Sequence, residues 1–185
     1  MAHDTNKLLR RMVASGEVDQ LVPERVWAEL VKALSESVPV RFFEVLHGCG
    51  ALASLIAPLA ALMGDRVAHR SVADSAPIAA LKRVCQATED PLQRLLAALW
   101  TTMTDPVFAE RLIARLHPDR ATARLLRRAA VAHAACRRAA EGSGEALVEV
   151  ATTWGSLPED QRASLVVACA AQQQGLDLVS ALEAA

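Results

Sequence analysis

Apolar residues recur at three- and four-residue intervals along nearly the whole chain, while strict alternation is almost absent, so the pattern predicts helices throughout. A first helix is expected from about Asp4 to Ala14, stopped by Ser15-Gly16. Pro23 opens a second, with Val26, Leu30, Ala33 and Leu34 on its apolar face. Pro39 opens a third, which holds Phe42, Phe43, Val45 and Leu46 and ends at Gly48 and Gly50. Leu52 to Met63 reads as a fourth helix, closed by Gly64-Asp65. A helix from about Ala76 to Thr88 follows an irregular stretch. Asp90-Pro91 supplies a cap and a first-turn proline for the next helix, with Leu95, Leu96, Leu99 and Trp100 inside it. Asp105-Pro106 repeats that start signal, and His117-Pro118-Asp119 repeats it before a long helix to about Ala140. Beyond the break at Gly142-Ser143-Gly144, helices are expected near Glu145 to Trp154, Pro158 to Gln173 and Leu176 to Ala184. The predicted fold is all-α, an irregular array of about ten helices with no fixed-period repeat. Residues 1–64 form one region, 65–76 a linker and 77–185 a second helical region.

Composition agrees with this pattern. Hydrophobic residues make up 52% of the 185 residues and aromatics 3%, so the apolar content is mostly Ala, Leu and Val, of which Ala and Leu favour helices. The net charge of −1 predicts no partner, but its distribution is uneven: between Glu110 and Arg138 eight arginines face two acids. Cys49, Cys85, Cys136 and Cys169 lie far apart with no paired spacing, which fits buried thiols in a reducing compartment and not a zinc site. The N-terminal segment, with Asp4, Lys7, Arg10 and Arg11, does not read as a signal peptide. The longest apolar stretch, Ala51 to Met63, is too short to cross a membrane and contains Pro58. A cytoplasmic protein without membrane contact is expected.

Two stretches carry a resemblance to a known family. They are GEVDQLVPERVWAEL at residues 16–30 and RFFEVLHGCGAL at residues 41–52, the second continued by LAALMG at 59–64. In order and spacing both resemble the neck of bacterial CCA-adding tRNA nucleotidyltransferases, of the poly(A) polymerase and CCA-enzyme class. A weaker likeness to the helical body continues through RLLAALWT at 94–101, RAAVAH at 128–133, LVEVATTW at 147–154 and QRASL at 161–165. In the neck motif, Glu24, Arg25 and Glu29 fall in the first two turns of the second helix. Arg25 and Glu29 are four residues apart and can pair, while Glu24 suits the helix dipole. Both the spacing and the resemblance make this motif structural.

The resemblance also implies what chemistry to look for. In the family a head precedes the neck and carries an Asp-x-Asp pair that holds divalent metal on the incoming nucleotide. No Asp-x-Asp occurs in this sequence, which opens about one helix before the neck motif. A chain without the head is therefore expected, with no nucleotidyl transfer by itself. Some members add an HD-type phosphohydrolase in the body. Where the resemblance would place its His-Asp pair, this chain has Trp100 and Thr101, neither of which replaces a metal-ligating imidazole or carboxylate. No histidine lies between His69 and His117, so the HD site reads as degenerate. His133 and His47 read as packing or surface residues. No catalytic residue, metal ligand or cofactor is assigned.

What remains is binding. Arg120, Arg124, Arg127 and Arg128 fall on one side of the long helix, with Arg111, Arg115, Arg137 and Arg138 as extensions. Such a stripe suits a phosphate backbone, and the family's neck and body grip tRNA, so tRNA or another structured RNA is the expected partner, not DNA. The alternative is a protein-interaction module, either a homodimer or the partner of a separately encoded head. Were the sequence a piece of a longer protein with a head upstream, the enzymatic reading would return.

Overall fold

A computed structural model describes residues 2–64, 74–103, 106–140 and 158–170, with isolated positions at 148, 152 and 155. Most of the expected linker, the breaking glycines 142–144, most of the helix expected near 145–154 and the C-terminal helix near 176–184 lie outside the described residues. The described residues form ten α-helices and two short 3₁₀ turns with no strand. The helices are α1 (Ala2–Ala14), α2 (Pro23–Ser35), α3 (Val40–Cys49), α4 (Ala51–Leu55), α5 (Ala57–Leu62), α6 (Ala76–Val84), α7 (Pro91–Leu99), α8 (Pro106–Leu116), α9 (Arg120–Ala140) and α10 (Glu159–Ala170). The all-α reading holds. None of these helices is long and apolar enough to cross a membrane.

The expected fourth helix is two. Ile56 leaves helical geometry at φ −143° and ψ 71°, which separates α4 from α5. Pro58 accounts for the break, because a proline ring at that point would strike the carbonyl of the preceding turn, whereas the first turn of a new helix accepts it. The helix from Ala76 is also shorter than its periodicity suggests, ending at Val84 and unwinding through residues 85–87. Between α3 and α4 the chain turns at Gly50, whose φ of 91° is open to glycine and strained for any other residue.

Helix α7 is the centre of the molecule. Its N-cap behaves as Asp90-Pro91 predicts: Asp90 Oδ1 accepts from the Leu92 and Gln93 amides at 2.7 and 3.2 Å. Every residue from Arg94 to Leu99 is buried, so the helix is covered on all sides, by α2, α6, α9 and α10. The chain then tightens into the 3₁₀ turn Trp100–Thr102, where the Thr102 hydroxyl donates to the Leu99 carbonyl at 2.6 Å. One continuous apolar core runs from Leu30 and Phe43 of the N-terminal helices through Leu95 and Leu99 to Leu126 and Leu165. Each large side chain fully buried there contributes roughly 1.5–3 kcal/mol. A small satellite core of Val18, Cys49 and Ala51 seats α1 through Leu9 and Val13.

Arg94 is the exception in this apolar helix, and no local spacing signals its role. It is 4% exposed. Its Nη1 donates to the carbonyls of Leu34 at 2.7 Å and Glu36 at 3.0 Å, and its Nε donates to the Thr88 carbonyl at 2.9 Å. The last carbonyls of a helix have no partner within it. Arg94 supplies those donors to the end of α2, and so fastens α2 to the segment that leads into α7.

Candidate nucleic-acid interface

Helices α8 and α9 form a hairpin, and its turn sets the basic surface. His117 stands in the left-handed region at φ 46°. Asp119 then caps α9: Oδ1 accepts from the Ala121 and Thr122 amides at 2.9 and 3.0 Å, and the Thr122 hydroxyl donates to Oδ2 at 2.6 Å. The hydroxyl, followed by the amide of the same residue, holds the Asp119 carboxyl below its ordinary range. Inward, α9 presents Ala and Leu: Leu125, Leu126, Ala129, Ala130 and Ala132 are buried. The opposite face is left to the arginines.

Only half of the predicted stripe is available as charge. Arg120 and Arg124 are exposed and make no ion pair among the described residues. Arg127 is also exposed, but it forks onto Glu110 of α8, with Nε to Oε1 at 2.6 Å and Nη2 to Oε2 at 3.0 Å. This pair lowers the Glu110 pKa and raises that of Arg127, in each case mainly through the hydrogen bonds between them. Arg128 is half-buried and engaged at the edge of the helix. Among the described residues, the contiguous cations of the stripe without an ion pair are therefore Arg120 and Arg124, next to a neutralised pair.

The extension residues divide between two surfaces. Arg111 and Arg115 do not join the stripe. They face away from α9, toward α4 and α5, and line a cleft of about 380 Å³ with Ala53, Ala57, Pro58 and Phe108. Arg111 is exposed. Arg115 is 25% exposed and held in place, with Nη2 donating to the Val18 carbonyl at 3.0 Å and lying 3.6 Å from Asp19 Oδ1. Arg137 and Arg138 are exposed near the far end of α9.

The neck motif is placed differently from its spacing. Arg25 and Glu29 are both exposed, and no ion pair joins them. An exposed pair at this separation gains at most a few tenths of a kcal/mol, too little to hold two long side chains in one geometry. The engaged acid is Glu24, whose Oε1 lies 2.9 Å from His117 Nδ1. That hydrogen bond is the main cause of a lowered Glu24 pKa. It ties the start of α2 to the α8–α9 turn, a contact across 93 positions that helical periodicity does not reveal.

Trp100 and Thr101 lie beside α9. Trp100 is 6% exposed and meets His133 edge to face, with ring centroids 5.2 Å apart. His133 Nδ1 and Thr101 Oγ1 are buried without a hydrogen-bond partner among the described residues. Burial lowers the His133 pKa, and nearby Arg137 adds to this, while the Met103 backbone opposes it only in part. Among the described residues, no three His, Cys, Asp or Glu side chains gather closely enough to hold a metal ion.

The arginine-lined flank of α8 and α9 thus belongs to an all-helical array whose N-terminal segment bears the GEVDQLVPERVWAEL motif. Residues 1–63 match a family described as the probable RNA and SrmB-binding site of polymerase A. The multifunctional CCA protein of Methylococcus capsulatus is 33% identical over 198 residues, covering 95% of this chain and 47% of that protein. Those of Thioalkalivibrio sulfidiphilus and Cupriavidus necator are each 58% identical over 64 residues, 35% of this chain and 16% of each relative. The chain belongs to the CCA-adding family. It spans about half the length of the Methylococcus relative. No solved structure matches it.

Proposed function

We propose that this chain binds tRNA or another structured RNA through its backbone, without catalysing nucleotidyl transfer by itself. The observation that carries the reading is the match of residues 1–63 to an RNA-binding family. The free charges of Arg120 and Arg124 on α9 supply a surface of the right sign. Aromatic residues are scarce and Trp100 is buried, so base stacking contributes little and contacts to phosphate dominate. Trp100 and Thr101, which the resemblance aligns with the His-Asp pair of HD-type members, offer no imidazole or carboxylate, which supports a binding role for the body.

The test is tRNA binding at low and moderate salt, by the natural chain and by Arg120→Glu with Arg124→Glu. The natural chain is expected to bind at low salt with affinity falling steeply as salt rises, and the double variant to bind at least tenfold more weakly. Absence of binding by the natural chain at low salt ends this reading. The competing role, a homodimer or a partner of a separate head, is supported by the exposed Leu21 and Val22 in the neck motif, at 44% and 49%. Light scattering distinguishes it: a fixed dimer that dissociates on Leu21→Glu favours the protein-interaction role.

A further inference from the structure

We infer that the cleft between α4–α5 and α8 is a second phosphate-binding site, which takes a phosphodiester of the same RNA. The inference rests on the RNA-binding reading and extends it to a surface that the arginine stripe does not include. Arg111 and Arg115 stand one helical turn apart on α8, so their guanidinium groups reach one region of space. Their roles differ. Arg115 is fixed by the Val18 carbonyl and Asp19, so its orientation is set before any ligand arrives, while Arg111 is exposed and has no ion-pair partner among the described residues. Asp19 offsets part of the Arg115 charge, leaving the cleft with one net positive charge from these three groups.

The opposite wall is small and apolar: Ala53, Ala57 and Pro58 present little bulk and no charge. That combination suits a sugar–phosphate segment, whose ribose lies against the alanine–proline wall while the phosphate meets the two guanidinium groups. A cleft of about 380 Å³ has room for one such unit. Phe108 is 7% exposed and offers no free ring face, so the site reads backbone and not base. RNA is favoured over an acidic protein because the Ala53–Pro58 wall lies within the segment that matches the RNA-binding family.

The experiment compares tRNA affinity and its salt dependence for four proteins: the natural chain, Arg111→Glu, Ala57→Glu, and the Arg120→Glu, Arg124→Glu pair. Ala57 is exposed at the first position of α5, where an acid is compatible with the helix dipole, so this variant keeps the fold while placing a carboxylate in the cleft. Circular dichroism verifies folding of each variant. Arg111→Glu and Ala57→Glu are each expected to weaken tRNA binding about tenfold at low salt, and Arg111→Glu to reduce the slope of log affinity against log salt by about one. If both bind tRNA like the natural chain while the α9 pair does not, the cleft proposal is overturned and the α9 reading stands. If both bind weakly while the α9 pair is unaffected, the cleft stands and the α9 surface is excluded. If the natural chain binds no tRNA, both fall. A poly-glutamate peptide serves as the competing probe: equal affinity for it and for a 5′-phosphorylated RNA oligonucleotide overturns the assignment to RNA.

Discussion

Arg94 and Arg124 carry the same guanidinium on neighbouring helices and do opposite work. Arg94 is 4% exposed, and three backbone carbonyls surround it. Arg124 is exposed and has no ion-pair partner among the described residues. Removing Arg94 would leave buried acceptors unsatisfied, a cost borne by the fold, whereas removing Arg124 takes away a solvated charge that the fold does not need. Between these extremes lie Arg127, exposed but neutralised by Glu110, and Arg115, half-committed to Val18 and Asp19. A count of arginines in a stretch of sequence therefore overstates the charge that a ligand meets.

The sharpest test of that contrast is Arg94→Met, which keeps the volume and removes the donors. It is expected to destabilise the protein by about 3 kcal/mol, a drop of about 10 °C in Tm for a chain of this size, measured by thermal unfolding. Arg124→Met in the same assay is expected to lie within about 0.5 kcal/mol of the natural chain. Equal losses for the two would erase the distinction.

A second test uses pH. Because burial depresses the His133 pKa, the unfolded chain binds the proton more readily, and the stability this histidine contributes is present above its unfolded pKa and lost as pH falls through its folded one. The difference in Tm between the natural chain and His133→Gln, followed from pH 7.5 downward, is expected to shift against the natural chain below about pH 6.5. A difference independent of pH would show that His133 is not held in its neutral form. The smallest effect is expected from Glu110→Gln, which releases Arg127. Stability should stay as in the natural chain, since the pair is exposed, while affinity for tRNA rises a few-fold. Unchanged affinity would place Arg127 outside the interface.

The start signals were legible because they are local. Asp90 and Asp119 each cap the helix that follows, and proline at the first turn marks several others. The break at Ile56 was half-legible: Pro58 announces a discontinuity, but the apolar run around it masks the split into two helices. Arg94 was not legible, since its Leu34 acceptor lies 60 residues away and only packing brings the two together. The same holds for Arg127 with Glu110, where helical spacing predicts the stripe and only the hairpin reveals its counter-charge. Arg25 and Glu29 show the reverse error, a spacing that permits a pair which the exposed geometry does not form.

The reach of Arg94 into the end of α2 bears on how freely this chain can be cut and recombined. The segment similar across many relatives, residues 1–63, looks portable when sequences alone are compared. Physically it is not self-sufficient, because the carbonyls of Leu34 and Glu36 and the apolar side chains of Leu30 and Phe43 are completed from beyond it. An excised piece covering only those residues is expected to be poorly folded and prone to self-association, and grafting it onto another body would require carrying α7 with it. The segment that two relatives share at 58% identity is here smaller than the unit that the apolar core closes.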